Sequence, residues 1–155
     1  MSACREGASI TKRDDWLRGH AVLRLVPCEG TPSLCREVRV TGENCLFCRI
    51  VAGEIPAEVV LETDRVLAFR DIGPQAPTHV LVIPKRHLES VAAAKDEDRE
   101  LLGDVMLVAR DVADSEGISE AGFRVVSNVG DDGGQSVHHL HLHVIGGRRL
   151  EWPPG

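Results

Sequence analysis

No apolar run in the sequence approaches the roughly 20 residues that a helix needs to cross a lipid bilayer. The first residues also lack the apolar core of a secretory signal peptide, and the early acidic residues Glu6, Asp14 and Asp15 fit a transit peptide poorly. Five cysteines are an odd number, which argues against a fully paired disulfide framework. We therefore expect a cytoplasmic protein without a membrane partner.

The sequence also has no excess of positive charge. Its formal net charge is −6 at pH 7, whereas proteins that bind nucleic acid polymers use basic surface to displace counterions from the phosphates. We therefore expect no nucleic acid polymer as a partner. A local loop can still hold the phosphate of a small nucleotide.

Two parts of the chain differ in their residue pattern. Residues 1–44 mix charged residues, glycine and proline around one short apolar run, and they carry no recognisable chemistry. A tail, an added strand and an over-long translation start all fit this segment, and we favour a poorly ordered N-terminal extension. Residues 45–155 are regular in pattern, and we expect them to form one domain with a hydrophobic core of its own.

The regular part contains signals for both helices and strands. A helical turn is predicted over Cys45–Gly53, and apolar residues at three- and four-residue intervals predict one long helix between Asp96 and Gly117. Short apolar runs bounded by turn residues predict five strands, which are Val59–Glu62, Val66–Ile72, His79–Pro84, Phe123–Ser127 and the run that contains His139, His141 and His143. The expected fold is α+β, with a mainly antiparallel five-stranded sheet, one long helix and a short N-terminal helix.

The histidine row, defined here as His139, His141 and His143, carries most of the candidate chemistry. Because alternate residues of a strand face opposite sides, these three imidazoles are predicted to share one face, while His138 lies with apolar residues on the other. Three imidazoles can hold a catalytic zinc ion and leave one position for water. One imidazole can instead attack phosphorus and form a covalent intermediate.

A glycine-rich loop, Gly130–Ser136, leads into the histidine row. Glycine allows successive backbone N–H groups to converge on an anion, and the hydroxyl of Ser136 adds another donor. A glycine cluster by itself is most often only a turn. Beside the histidine row it predicts a phosphate-binding loop, although Asp131 and Asp132 make it more acidic than such a loop needs to be.

These motifs resemble those of the histidine triad (HIT) family. The segment His139–Ile145 fits the family's pattern of alternating histidine and apolar residues. Further similar segments follow the family's order, namely Glu54–Ala57, Ala68–Ile72, Pro74–His79, Ile83–His87 and Trp152–Gly155. The resemblance covers residues 45–155 and implies a HIT-like fold and a homodimer. The ending Trp152–Gly155 is typical of the histidine triad nucleotide-binding (HINT) branch.

The resemblance implies a hydrolase that acts on P–N bonds. The expected reaction is cleavage of purine nucleoside 5′-phosphoramidates of the AMP–NH2 type through a nucleotidyl-histidine intermediate. By the same resemblance, His141 is the nucleophile, and the further catalytic residues are His143, His79 and Ser136. The residues expected to hold the nucleotide are Phe47, Phe69, Asp71, Ile72, Asn128, Gly134, Ser136, His141 and His143.

Cys45 and Cys48 form a C-x-x-C pair, which by itself fits a redox site, a metal site or an incidental spacing. Some members of the family hold structural zinc with such a pair and two histidines, which correspond here to His87 and His139. The resemblance therefore implies a closed zinc site made of these four residues, with no cofactor required for the chemistry. The alternative is two reduced cysteines near a helical turn.

Two other functions remain open for the same sequence. A dinucleoside polyphosphate hydrolase or a nucleotidyltransferase would use the same His141 intermediate with another leaving group or acceptor. A non-catalytic nucleotide sensor would keep the pocket without turnover.

Overall fold

The computed structural model describes residues 44–153. The helices are α1 and α2, and the strands are β1 to β5. Their bounds are α1 Leu46–Val51, β1 Val59–Glu62, β2 Val66–Arg70, β3 Thr78–Pro84, α2 Arg99–Ser115, β4 Arg124–Val126 and β5 Leu142–Gly146. The expected N-terminal extension over residues 1–44 lies, except for Asn44, outside the described residues.

The strands form one sheet in the order β1-β2-β3-β5-β4, and all neighbouring strands are antiparallel. The predicted α+β fold, with five antiparallel strands, one long helix and a short N-terminal helix, is confirmed. Within residues 44–153, no helix is both long enough and apolar enough to span a membrane.

The sheet is covered on both faces. On one face, the apolar stripe of α2 packs against valines of β2, β3 and β5, so that Val80, Val112 and Val144 are fully buried. On the other face, Phe47 of α1 packs with Phe69 and with further residues of β2 and β3. Strand β3 is buried along its whole length because both layers cover it.

Strand β2 ends at Arg70, two residues before the predicted end. The carboxylate of Asp71 accepts a hydrogen bond from the backbone N–H of Gly73 at 2.8 Å, a local turn that diverts the chain from the sheet. Arg70 itself donates two hydrogen bonds to the carboxylate of Glu116, at 2.9 and 3.0 Å, and so ties the strand end to the residue after α2.

Strand β5 begins at Leu142, so the expectation that the whole histidine row lies in a strand is wrong. The backbone N–H of His139 bonds to the carbonyl of Val137 at 2.8 Å, and that of Leu140 bonds to the carbonyl of Leu88. These bonds turn the chain before it joins the sheet, and only His143 of the row lies within the strand. The turn also exposes about half of the His138 side chain, which was expected to pack.

Candidate active site and metal centre

His79 and His143 meet where β3 and β5 pair. The register sets Leu81 opposite His143 and His79 opposite Ile145, so the two histidines are diagonal neighbours on one face of the sheet. Their ring atoms His79 Nε2 and His143 Nδ1 are 2.9 Å apart, which is hydrogen-bond distance.

The backbone near this pair determines which ring nitrogens carry protons. The N–H of Gln75 donates to His79 Nδ1 at 3.1 Å, so this nitrogen is an acceptor and carries no proton. A neutral His79 therefore holds its proton on Nε2 and donates it to His143 Nδ1. His143 in turn carries its own proton on Nε2, the nitrogen that is left for a ligand.

Burial keeps His143 neutral. Loss of solvent is the largest cause that lowers the pKa of His143, and together with the neighbouring His141 and His79 it brings the pKa from 6.5 to about 4, while the Asp71 carboxylate acts in the opposite direction. At neutral pH His143 is therefore an uncharged donor through Nε2.

His141 carries its proton on Nδ1, whereas His143 carries its proton on Nε2. Its Nδ1 lies 2.7 Å from the backbone carbonyl of His139, and a carbonyl can only accept, so Nδ1 carries the proton. The lone pair is consequently on Nε2. The ring is 3% exposed, and the edge-on ring of Phe47, with centroids 5.3 Å apart, restricts its rotation. An unprotonated imidazole nitrogen held in one orientation is suited to nucleophilic attack.

His139 is completely buried and faces away from the other two histidines of the row. Its Nε2 donates to the carbonyl of Pro84 at 2.8 Å, which leaves the Nδ1 lone pair facing Cys45 Sγ at 3.4 Å and Cys48 Sγ at 3.6 Å. Burial lowers the pKa of His139 to about 4, so its ring is neutral at pH 7. A neutral imidazole with a directed lone pair is a metal ligand.

The predicted metal ligands form a four-residue metal cluster. The donor atoms of Cys45, Cys48, His87 and His139 all lie within 4.8 Å of one another, and Cys48 Sγ is 3.4 Å from His87 Nδ1. A tetrahedral zinc ion with ordinary bond lengths separates its sulfur and nitrogen ligands by about 3.5 Å. The sulfur–nitrogen distances in the cluster of 3.4 to 3.6 Å therefore fit a closed metal site.

The thiols themselves favour a cation in this place. Burial, together with a hydrogen bond and a repulsive charge from Cys45, raises the pKa of Cys48 to about 11. A bound metal ion supplies the positive charge that two adjacent thiolates need. The donor set and its electrostatics fit a metal, and the described structure supports this part of the prediction.

A second group, Asp71, His79 and His143, also has donor atoms within 4.8 Å of one another. Here the hydrogen bonds argue against a metal. A metal at His79 Nε2 would move the ring proton to Nδ1, where it would oppose the N–H of Gln75. We therefore interpret this group as a proton-sharing pair with an adjacent carboxylate. A catalytic zinc held by all three histidines of the row is also excluded, because His139 faces the cysteines.

A cavity of about 290 Å³ opens beside Phe47. Four of the residues expected to hold the nucleotide line it, namely Phe47, Phe69, Asp71 and Ile72. Since the ring of Phe47 also contacts the ring of His141, the cavity and His141 both border Phe47. Sequence reasoning missed further lining residues of the cavity, among them Ile50, Pro56 and Leu81. In the sequence, Pro56 lies in the segment Glu54–Ala57 and Leu81 in the apolar run of β3, but neither pattern marks a residue as lining a cavity.

Of the other residues expected to hold the nucleotide, Gly134 and Ser136 lie on the exposed loop before the histidine row, and the half-buried Asn128 precedes that loop. Gly134 adopts a φ of +74°, a conformation that favours glycine, and its carbonyl is 3.5 Å from the amide nitrogen of Asn128. Ser136 is exposed, with its hydroxyl available to a ligand. At Gly133, an added Cβ would lie 2.3 Å from the carbonyl oxygen of Val129, so the tight turn of this loop requires glycine there.

Comparison with known proteins relates this architecture to one family. The family model described as HIT domain matches residues 52–150. An uncharacterized HIT-like protein of Synechococcus elongatus is 50% identical over 114 residues, which cover 74% of this chain and 99% of that protein. A second, from Synechocystis, is 51% identical over 114 residues with the same coverage of 74% and 99%.

Solved structures agree with the sequence comparison. A HIT family hydrolase from Legionella pneumophila is 55% identical with a TM-score of 0.71, over 72% of this chain and all of that one. A HIT family hydrolase from Clostridium thermocellum is 42% identical with a TM-score of 0.69, over 70% of this chain and 95% of that one. Fold, site geometry and sequence identity lead to the same conclusion: the chain belongs to the HIT domain family.

Proposed function

We propose that the protein is a nucleotide-binding hydrolase of the HINT branch that cleaves purine nucleoside 5′-phosphoramidates through a nucleotidyl-His141 intermediate. The observation that carries this proposal is that His141 and His143 are opposite tautomers. His141 presents a lone pair on Nε2, and His143 presents a proton on Nε2. One ring is thus prepared to attack phosphorus and the other to bind a phosphate oxygen.

The first step of the proposed reaction forms one bond and breaks another. Nε2 of His141 attacks the α-phosphorus, and the P–N bond to the leaving amine breaks. The hydroxyl of Ser136 donates a hydrogen bond to the departing nitrogen, which takes a proton from solvent and leaves as the amine, while His143 donates to a phosphate oxygen as negative charge builds. In the second step water attacks the nucleotidyl-His141, which releases the nucleoside monophosphate and restores the free imidazole.

The nucleoside is proposed to occupy the cavity beside Phe47. Its apolar wall suits a planar base, and Asp71 offers a carboxylate to the ribose hydroxyls. The Asp71 side chain is 18% exposed, so a ligand can reach it, and its Oδ2 is 3.4 Å from His79 Nε2. The names of the Legionella and Clostridium structures, both given as hydrolases, support a hydrolytic outcome.

The metal cluster is proposed to hold zinc as a structural centre. Zinc there would cross-link α1, the segment after β3 and the histidine row through Cys45, Cys48, His87 and His139. The reaction steps use only the side chains at the phosphate, and His139 serves them through its backbone carbonyl.

The His141→Ala substitution tests the nucleophile. We expect wild type to release AMP from AMP–NH2. The substitution should lower kcat/KM by about a thousandfold or more, because it removes the imidazole nitrogen that attacks phosphorus. Acid-quenched single turnovers should leave a nucleotidyl adduct on the peptide that contains His141. His138→Ala, which alters an exposed neighbour, should keep wild-type activity.

Equal activity of wild type and His141→Ala would overturn the mechanism. Faster turnover of diadenosine tetraphosphate than of AMP–NH2 would instead favour the dinucleoside polyphosphate hydrolase. Binding of AMP without turnover of either compound would favour the sensor.

Metal analysis tests the zinc. Protein purified without added zinc should contain about one zinc ion per chain. Cys48→Ser should remove most of it and lower the Tm by about 5–10 °C, because metal binding contributes to the stability of the folded state. Cys28→Ser, at a cysteine without an assigned role, should retain the metal. Far less than one zinc per wild-type chain would contradict the assignment.

A homodimer is proposed as well. Trp152 is 84% exposed, and Met106 and Leu107 on α2 are 53% and 51% exposed, as apolar residues of a contact surface are in a single chain. Light scattering on the eluting protein should give about twice the chain mass of 16.9 kDa. A single-chain mass at micromolar concentration would refute the dimer.

The low pKa of His143 predicts how stability depends on pH. Its pKa is about 4 in the folded state and about 6.5 in an unfolded chain. Between these values the unfolded state binds more protons, so the free energy of unfolding falls as the pH is lowered from about 6.5 to 4. Urea titrations at pH 7 and pH 4.5 measure how much free energy of unfolding is lost between these two pH values. In His143→Gln this loss should be smaller than in wild type by about 1–3 kcal/mol. The exposed-site variant His138→Gln should show the wild-type loss, and an unchanged loss in His143→Gln would contradict the assignment.

A further inference from the structure

One residue of the glycine-rich loop that leads into the histidine row does not face solvent. Residues 129–136 are all exposed except Gln135, whose exposed fraction is 6%. Glutamine is a residue type that normally stays on the surface, so a buried one on an exposed loop needs partners.

The side chain of Gln135 bonds to three separate backbone groups. Its Oε1 accepts from the N–H of Gly130 at 3.1 Å, and its Nε2 donates to the carbonyls of Glu89 at 2.7 Å and Val137 at 3.0 Å. Both amide hydrogens and one oxygen lone pair are therefore used. The backbone N–H of Gln135 also donates to the carbonyl of Gly130 at 3.0 Å, so Gly130 is held from both sides.

These bonds join the start of the loop, its end and a distant segment. Gly130 opens the loop and Val137 closes it, while Glu89 lies in the connection between β3 and α2. Between the two ends are Gly133 and Gly134, which have little conformational preference of their own. The shape of the loop consequently depends on bonds such as those of Gln135 more than on local propensity.

We propose that Gln135 is a positioning residue whose buried side chain clamps the loop Gly130–Val137 in the form that binds phosphate. It acts through the exposed residues Gly134 and Ser136 and does not itself touch the nucleotide. The inference rests on the proposed function, because it assumes that these two residues meet the phosphate. Ordering the loop before binding lowers the entropy cost of taking up the ligand.

The Gln135→Met substitution removes the three bonds while it keeps the length of the side chain and adds no charge near the phosphate. A calorimetric titration should show the Kd for AMP raised about tenfold, because the free energy of one or two net hydrogen bonds that orders the loop in wild type must then come from the binding of AMP. Hydrogen exchange at the backbone N–H of Gly130, Gly134 and Ser136 should accelerate in the absence of nucleotide. With AMP–NH2, KM should rise more than kcat falls.

A stability control separates the clamp from general weakening. Val105→Ala removes buried volume from α2, far along the chain from the loop. It is expected to lower the Tm about as much as Gln135→Met does. It should leave the AMP affinity and the exchange rates of the loop unchanged.

Wild-type affinity for AMP in Gln135→Met, or wild-type exchange rates in the loop, would overturn the clamp. The exchange measurement needs no nucleotide. Accelerated exchange in Gln135→Met therefore supports the clamp even if wild type fails to bind AMP, a result that would overturn the proposed function alone.

Discussion

The site depends on a single buried imidazole that must satisfy both of its ring nitrogens. His139 has no solvent contact, so its Nε2–H needs an acceptor and its Nδ1 needs a donor or a metal. The carbonyl of Pro84 accepts from Nε2, which orients Nδ1 toward Cys45 and Cys48. The backbone carbonyl of the same residue then accepts from Nδ1–H of His141. One buried side chain thereby connects the metal cluster to the orientation of the His141 ring.

The three histidines of the row therefore have different tasks, although they alternate regularly in sequence. His139 uses Nδ1 for the metal cluster, His141 uses Nδ1 as a donor to a carbonyl, and His143 uses Nδ1 as an acceptor from His79. Each partner is a group of the fold itself and is in place before any ligand arrives. Groups oriented in this way stabilise developing charge without reorganisation during the reaction.

Much of this could be predicted from the sequence, because helices and strands follow from periodicity and the ligand set follows from the family resemblance. The remaining features depend on contacts between distant residues. The chain turns before β5 because Leu140 bonds to Leu88, and no local pattern around His139 shows this. Gln135 lies in a polar, glycine-rich loop whose pattern predicts an exposed side chain. A hydrogen bond to the carbonyl of Glu89, 46 positions away, instead holds it in a buried position. The proton positions depend on the N–H of Gln75, which side-chain patterns do not reveal.

The short segment after β3 explains how these distant contacts are coordinated. His87 belongs to the metal cluster, the carbonyl of Leu88 accepts from Leu140, and the carbonyl of Glu89 accepts from Gln135. Three successive residues thus contact the metal cluster, the approach to the histidine row and the loop Gly130–Val137. Because β3 is buried on both faces, the start of this segment is fixed by the core. A displacement of the segment would therefore alter all three at once, so the stability of the core and the geometry of the site are linked at this point.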